Sequence, residues 1–418
     1  MAISWLDSPT HHAWLDAEAL RLLAFARASR LPQGFGNLDD AGRLPQGFGN
    51  LDDAGRLPRC ALAETMNTAR MTHSFALAHI QGVPGCRELV EHGVGALLGP
   101  LRDQEHDGWY AQPEGHGDTG KAAYLHAFVA LAASSAVVAG ISQASALLEA
   151  VTQVIEQRFW CEEEGALRES FSRDWLHAEA YRGANSNMHG VEAFLALADV
   201  TGDTQWLLRA QRIVERLILT RAAADGMRVT EHFDAQWQAL PDYNRENPAD
   251  GFRPYGTTPG HAFEWARLVL HLEAALQRAQ LPAPESLLPA ARGLFDSACR
   301  HAWQADGAPG LVYTLDWHNR PVVRERLHWV HAEACATAAA LLRRTGEAQY
   351  EHWYRCFWDF IASHFIDRAH GSWHHELDPA LLPSARIWGG KPDLYHAYQA
   401  LLLPRLPLAP SLATALAL

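Results

Sequence analysis

Three histidines in this chain each stand near the start of a helical pattern with an acid or amide on the same face. They are His189 with Asn185 and Glu192 in YRGANSNMHGVEAFLAL, His261 with Glu264 in PYGTTPGHAFEWARL, and His396 with Asp393 in GGKPDLYHAYQALL. Spacings of three and four residues bring such side chains together on one side of a helix. Imidazole changes charge closest to neutrality, so the chemistry these groups suit is proton transfer. Thr258 fits a helix N-cap and Pro259 the first helical position, which sets His261 in the first turn. There the backbone dipole favours neutral imidazole while the Glu264 carboxylate pulls the other way, the balance a general base needs. Pro392 marks another such start ahead of His396. Taken singly, each of these histidines reads as a hydrogen-bonded core residue. Three together are better explained by a shared task.

The elements that must position them follow from apolar periodicity, caps and breakers. The spacing predicts about twelve helices, near 11–29, 60–80, 84–99, 118–136, 141–159, 185–200, 204–220, 259–277, 284–302, 326–343, 347–365 and 390–403. Arg70, Tyr124, His189, His261, Glu333 and His396 fall on every second one. Loops between the resulting hairpins repeat a Gly near an aromatic or Leu, at Gly49, Gly108, Gly165, Gly226, Gly307 and Gly371, about one helical hairpin apart. Six hairpins closing on themselves make an all-α (α/α)6 barrel, and alternate helices would then aim the six polar residues at one central cavity. No linker divides residues 1–418, so a single barrel domain is expected.

Composition narrows the function. With 35 basic and 48 acidic residues, net −13, and no Lys/Arg run, nucleic acid is excluded as a partner. The six cysteines lack C-x-x-C spacing and read as reduced core residues. The N-terminus MAISWLDSPTHHAWLD has neither a basic n-region nor an apolar h-region, so a cytoplasmic location is expected. Residues 125–148 are apolar enough to resemble a membrane span, but four Ser, His126, Gln143 and Gly140 mark a buried helix pair, and no membrane association is expected. The segment LPQGFGNLDDAGR at 31–43 recurs unchanged at 44–56. Such a tandem copy inside a loop costs little closure entropy, so one copy should pack and the other bulge, with no functional role.

Neutral imidazoles, carboxylates and an Arg suit moving a proton from a carbon beside a carbonyl, which requires a base near pH 7 and a polar cradle for enediolate oxygens. H-E-x-x-H, Cys/His clusters and the P-loop G-x-x-x-x-G-K-[ST] are all missing from the sequence, so neither metal nor cofactor is expected. Among the 15 tryptophans, Trp329, just ahead of Glu333, and Trp388, just ahead of KPDLYH, are candidates to stack on a sugar ring.

The motifs YRGANSNMHGVEA, GTTPGHAFEWARL, HWVHAEACATA and KPDLYHAYQA, with TARMTHSF and GFGNLDDAGR upstream, resemble the N-acylglucosamine 2-epimerase superfamily. Within it they are most similar to the branch of aldose-ketose isomerases that acts on D-mannose and sulfoquinovose. The resemblance spans nearly the whole chain and implies the same (α/α)6 barrel. It implies that His261 and His396 are catalytic, and that Arg70, Tyr124, Asn185, His189, Glu264 and Glu333 line a monosaccharide site. The expected reaction is cofactor-independent interconversion of D-mannose and D-fructose, with D-lyxose and D-xylulose as a second pair. His261, supported by Glu264, would assist ring opening and move a proton between O1 and O2. His396 would carry the carbon proton from C2 to C1 through a cis-enediolate held by Arg70 and His189. The alternatives are a sugar 2-epimerase, a sulfoquinovose isomerase, an inverting glycoside hydrolase using Glu264 and Glu333, and a non-catalytic binding protein. Gly190, His331 and the His374–His375 pair depart from the family pattern and are positions where the pocket could be reshaped.

Overall fold

A computed structural model describes residues 3–31 and 47–418. The helices are α1 (Pro9–Ala26), α2 (Thr65–Ile80), α3 (Cys86–Leu98), α4 (Ala123–Val138), α5 (Ala144–Val154), α6 (Ala184–Thr201), α7 (Gln205–Val214), α8 (Pro259–Arg278), α9 (Leu287–Ala302), α10 (His328–Thr345), α11 (Ala348–Phe360), α12 (Tyr395–Leu402) and α13 (Leu412–Ala417). The first twelve answer the twelve expected from periodicity. Helices α5, α7 and α11 each continue into a wider π-helical turn, which accounts for their longer predicted spans.

The even-numbered helices pack side by side, α2 on α4, α4 on α6, α6 on α8, α8 on α10, α10 on α12, and α12 back on α2. Each is backed by an odd-numbered helix, with α1 covering α12. This closed double ring is an (α/α)6 barrel. Inner helices are buried around most of their circumference, as α4 illustrates, which explains why AYLHAFVALAASSAVV reads as uniformly apolar. Gly140, at φ +70, lies in the left-handed region that ends α4 and turns the chain toward α5. Among the described residues no helix is long and apolar enough to cross a membrane. The short α13 packs on α2, α4 and α6.

One hydrogen bond recurs six times around the ring. The backbone N–H at or just before each inner helix donates to a carbonyl in the loop leaving the next outer helix: Thr65 to Ala111, Ala123 to Glu169, Ala184 to Glu231, Thr257 to Leu315, His328 to His375, and Lys391 to Leu51. The last of these joins the sixth hairpin to the first. Buried ion pairs reinforce the same junctions, Lys121 with Asp103 at 2.8 Å, Arg182 with Glu164 at 2.8 Å, Arg326 with Asp306 at 2.6 Å and Lys391 with Asp367 at 2.5 Å. Leu51 belongs to the second copy of the tandem segment. In that copy Phe48 is fully buried and the Gly49 carbonyl accepts from Asn67 at 2.9 Å, so this copy packs. The first copy beyond Leu31 lies outside the described residues. Three cysteines, Cys86, Cys299 and Cys335, are core residues as expected, whereas Cys161 and Cys356 are half-buried and Cys60 is exposed.

Candidate active site

Because every inner helix begins at the same end of the barrel, its first turns form the wall of one cavity. Tyr124, Asn185, Trp329 and His396 are each the second residue of their helix and His261 is the third of its own. Arg70, His189, Glu264 and Glu333 are each the sixth, one turn or about 6 Å deeper. The cavity is lined by nine of the ten residues named from sequence: Arg70, Tyr124, Asn185, His189, His261, Glu264, Trp329, Trp388 and His396. The tenth, Glu333, is not on the wall. It stands behind His396, its Oε1 3.0 Å from Nδ1 of that ring.

The expected pairing of His261 with Glu264 is also corrected. His261 Nδ1 lies 3.0 Å from Oε1 of Glu231, which is 3% exposed and comes from the loop after α7. The i, i+3 spacing in GHAFE sets the two side chains on one face, but in neighbouring tiers. The His261 ring tilts against the Trp329 indole at 5.3 Å between centroids, and the His396 ring lies against the same indole at 5.6 Å. A Cβ at Gly260 would come within 2.4 Å of that indole, so the glycine before His261 is what lets Trp329 approach α8. Thr258 is the N-cap residue as expected, although its hydroxyl makes no capping bond. Helix α12 begins at Tyr395, not Pro392, because the Asp393 carboxylate accepts the Tyr395 N–H at 2.9 Å and reaches into the site.

Asp393, noted above only as a partner for His396, is a hub. Its carboxylate lies 3.3 Å from His328 Nε2 and 3.9 Å from both Arg70 Nη1 and His396 Nε2. Burial would raise its pKa, but His396, His328 and Arg70 hold it well below the usual carboxylate range. Arg70 donates to the Tyr124 hydroxyl at 2.8 Å and stacks on Phe128, 4.3 Å from the ring centre. Burial lowers the His396 pKa and takes that of His189 down to about 4, so both rings are neutral at pH 7. His189 Nδ1 is 3.6 Å from Glu192 and 3.7 Å from Glu264, too long for a hydrogen bond with either.

At the floor, Arg267 faces three carboxylates, Glu333 at 2.9 Å, Glu264 at 3.5 Å and Glu192 at 4.0 Å. Two trios, His189–Glu192–Glu264 and Glu264–Glu333–His396, bring possible metal-ligand atoms within 4.8 Å of one another. The guanidinium already supplies the positive charge these carboxylates share.

Of the positions set apart in the sequence as departures, one reaches the pocket. His375 lines it, stacked on His328 at 4.0 Å between ring centroids. His331 instead accepts the Leu311 N–H at 3.0 Å and ties down a loop, and Gly190 faces Leu167. His374 is absent from the wall. Glu231, His328, Met66 and Phe252 were not singled out in sequence. Glu231 sits in a loop with no helical register to betray it, whereas His328 opens the HWVHAEA run immediately ahead of Trp329.

A model of the N-acylglucosamine 2-epimerase (GlcNAc 2-epimerase) family matches residues 47–400. The chain is 66% identical to the D-mannose isomerase of Pseudomonas cannabina pv. alisalensis over 99% of this chain and 97% of that one. It is 52% identical to the D-mannose isomerase of Thermobifida fusca over 99% and 98%. A solved crystal structure of a D-mannose isomerase superposes with a TM-score of 0.84 at 28% identity, covering 95% of this chain and 98% of the other.

Proposed function

The chain belongs to the N-acylglucosamine 2-epimerase family, and from that premise we propose that it is a D-mannose isomerase that uses His261 and His396 as its proton-transfer groups. The supporting observation is that both imidazoles flank the single Trp329 indole on one cavity wall, each with Nδ1 against a buried carboxylate. A carboxylate that accepts from Nδ1–H leaves Nε2 with the lone pair, the form a base requires.

With the open-chain aldose bound, His396 Nε2 takes the C2 proton. The bond electrons move into a C1–C2 double bond and the C1 carbonyl oxygen becomes the enediolate oxygen. The resulting imidazolium is stabilised by Glu333 behind it and Asp393 beside it. His261 Nε2 takes the O2 proton and gives one to O1, while Arg70 and His189 hold the oxygens. His396 then returns its proton to C1, giving ketose. One base suffices because C2 and C1 present the same face of a cis-enediolate. A 2-epimerase needs a second base on the opposite face. Trp329 and Trp388 offer apolar faces to the sugar, and Asn185 and Tyr124 offer polar contacts to its hydroxyls. D-lyxose, which shares the C2 and C3 configuration of mannose, is a second substrate. The six free thiols fit a reducing compartment, the cytoplasm.

Incubating the purified protein with D-mannose and following products by NMR tests this reading. Fructose is the expected product; glucose would mean 2-epimerisation, and no conversion would overturn the assignment.

A further inference from the structure

Glu264 is the one carboxylate of the central cluster whose oxygens both lack a hydrogen-bond partner among the described residues. It is fully buried, and it forms part of the cavity wall. Its neighbours are better served. Glu333 accepts from Arg267 Nε at 2.9 Å and faces His396 Nδ1. Glu192 accepts from the Tyr395 hydroxyl and, at 3.3 Å, from Gln399. The charged and titratable groups facing Glu264 are Arg267 from its own helix, Glu192 and His189 from α6, Glu333 from α10 and Arg70 from α2, with the Tyr124 and Tyr395 hydroxyls from α4 and α12. One nearby guanidinium cannot neutralise three carboxylates in a buried space, and the group without donors is the one that keeps its proton.

We propose that Glu264 is a neutral carboxylic acid in the working enzyme and donates a hydrogen bond from the cavity wall to an enediolate oxygen of the sugar. This rests on the isomerase reading above. The proton stays on Glu264 throughout. Its task is to stabilise charge that develops only in the transition state, distinct from the proton carriage assigned to His261 and His396. Burial and the Glu333 charge both push the Glu264 pKa well above the usual carboxylate range, in agreement with that geometry. A carboxylic acid held neutral in an apolar site is an established way of building such a donor.

Glu264→Gln, Glu264→Ala and wild type separate this role from others, with thermal melts confirming that each variant folds. A glutamine amide keeps a donor of the same length, so E264Q should keep kcat/KM for D-mannose at least about tenfold above that of E264A. E264A removes the donor and should lose about 10²- to 10³-fold. Infrared difference spectra of wild type against E264Q, without sugar at neutral pH, should show one protonated carboxylic C=O stretch lost. E264Q as impaired as E264A, with that band present, would mean the proton is transferred and overturns the donor role. No such band would mean an ionised Glu264 and overturns it too. The infrared experiment needs no turnover, so its failure is distinct from failure of wild type to make fructose.

Discussion

Replacing Glu231 with Gln tests whether the partner of His261 is the loop carboxylate the structure places there. The substitution is isosteric, and its amide oxygen can still accept from Nδ1–H across the 3.0 Å contact, so the ring keeps its place and tautomer. What disappears is the negative charge that stabilises His261 as it takes a proton. Two unit charges about 4 Å apart at an effective dielectric near 20 attract by about 4 kcal/mol. If half the charge has developed in the transition state, about 2 kcal/mol is lost, equivalent to about thirtyfold in rate. Initial rates of fructose formation over a range of mannose concentrations should show that loss in kcat with KM nearly unchanged, because Glu231 is buried behind the ring and touches no sugar. The reasoning is refuted if E231Q stays within threefold of wild type, or if the loss falls on KM instead.

His396→Ala should lower turnover at least about a hundredfold while leaving the thermal melt close to wild type, the usual scale for a positioned base; near-normal fructose production would remove it from the mechanism. Burial depresses the pKa of His73 and His189 to about 4 and of His126, His271 and His331 to about 3. Between the ordinary imidazole value and those depressed values the unfolded chain binds protons that the native protein does not, so their contribution is complete above about pH 6.5 and is lost as pH falls toward 4. Calorimetry from pH 7.5 down to 4.5 should therefore show a steep, multi-proton fall in Tm; a flat profile contradicts it. Lys391→Met leaves the Asp367 carboxylate, 5% exposed, without its cation and should cost about 3 kcal/mol or more in urea unfolding. A change under 1 kcal/mol would show that the remaining donors to Asp367 suffice.

The barrel was legible because its inner helices carry chemistry at fixed depths. A polar residue at the second, third or sixth position of every other helix is a signal that apolar periodicity can expose, and Arg70, Tyr124, His189, His261 and His396 all stand at such positions. Pairings between helices were not legible. Local spacing joins His261 to Glu264, yet the imidazole at the mouth tier meets a residue arriving from a loop, Glu231, while Glu264 points to the floor. Glu333 shares a tier with His189, but Arg267 draws one of its oxygens away from the cavity and His396 takes the other. The start of α12 was misjudged for a similar reason. Proline usually opens a helix, but here Asp393 is recruited to the site and the helix does not start until Tyr395.

The bond from the Lys391 amide to the Leu51 carbonyl has a consequence for the order in which the molecule comes into being. The N-terminal hairpin emerges from the ribosome well before the segment it must clasp, so the cylinder stays gapped until Lys391 has been made. That late segment also brings Trp388, Asp393 and His396. A chain released short of it has most of its scaffold but lacks His396, the proposed base, and on that proposal would turn over no sugar.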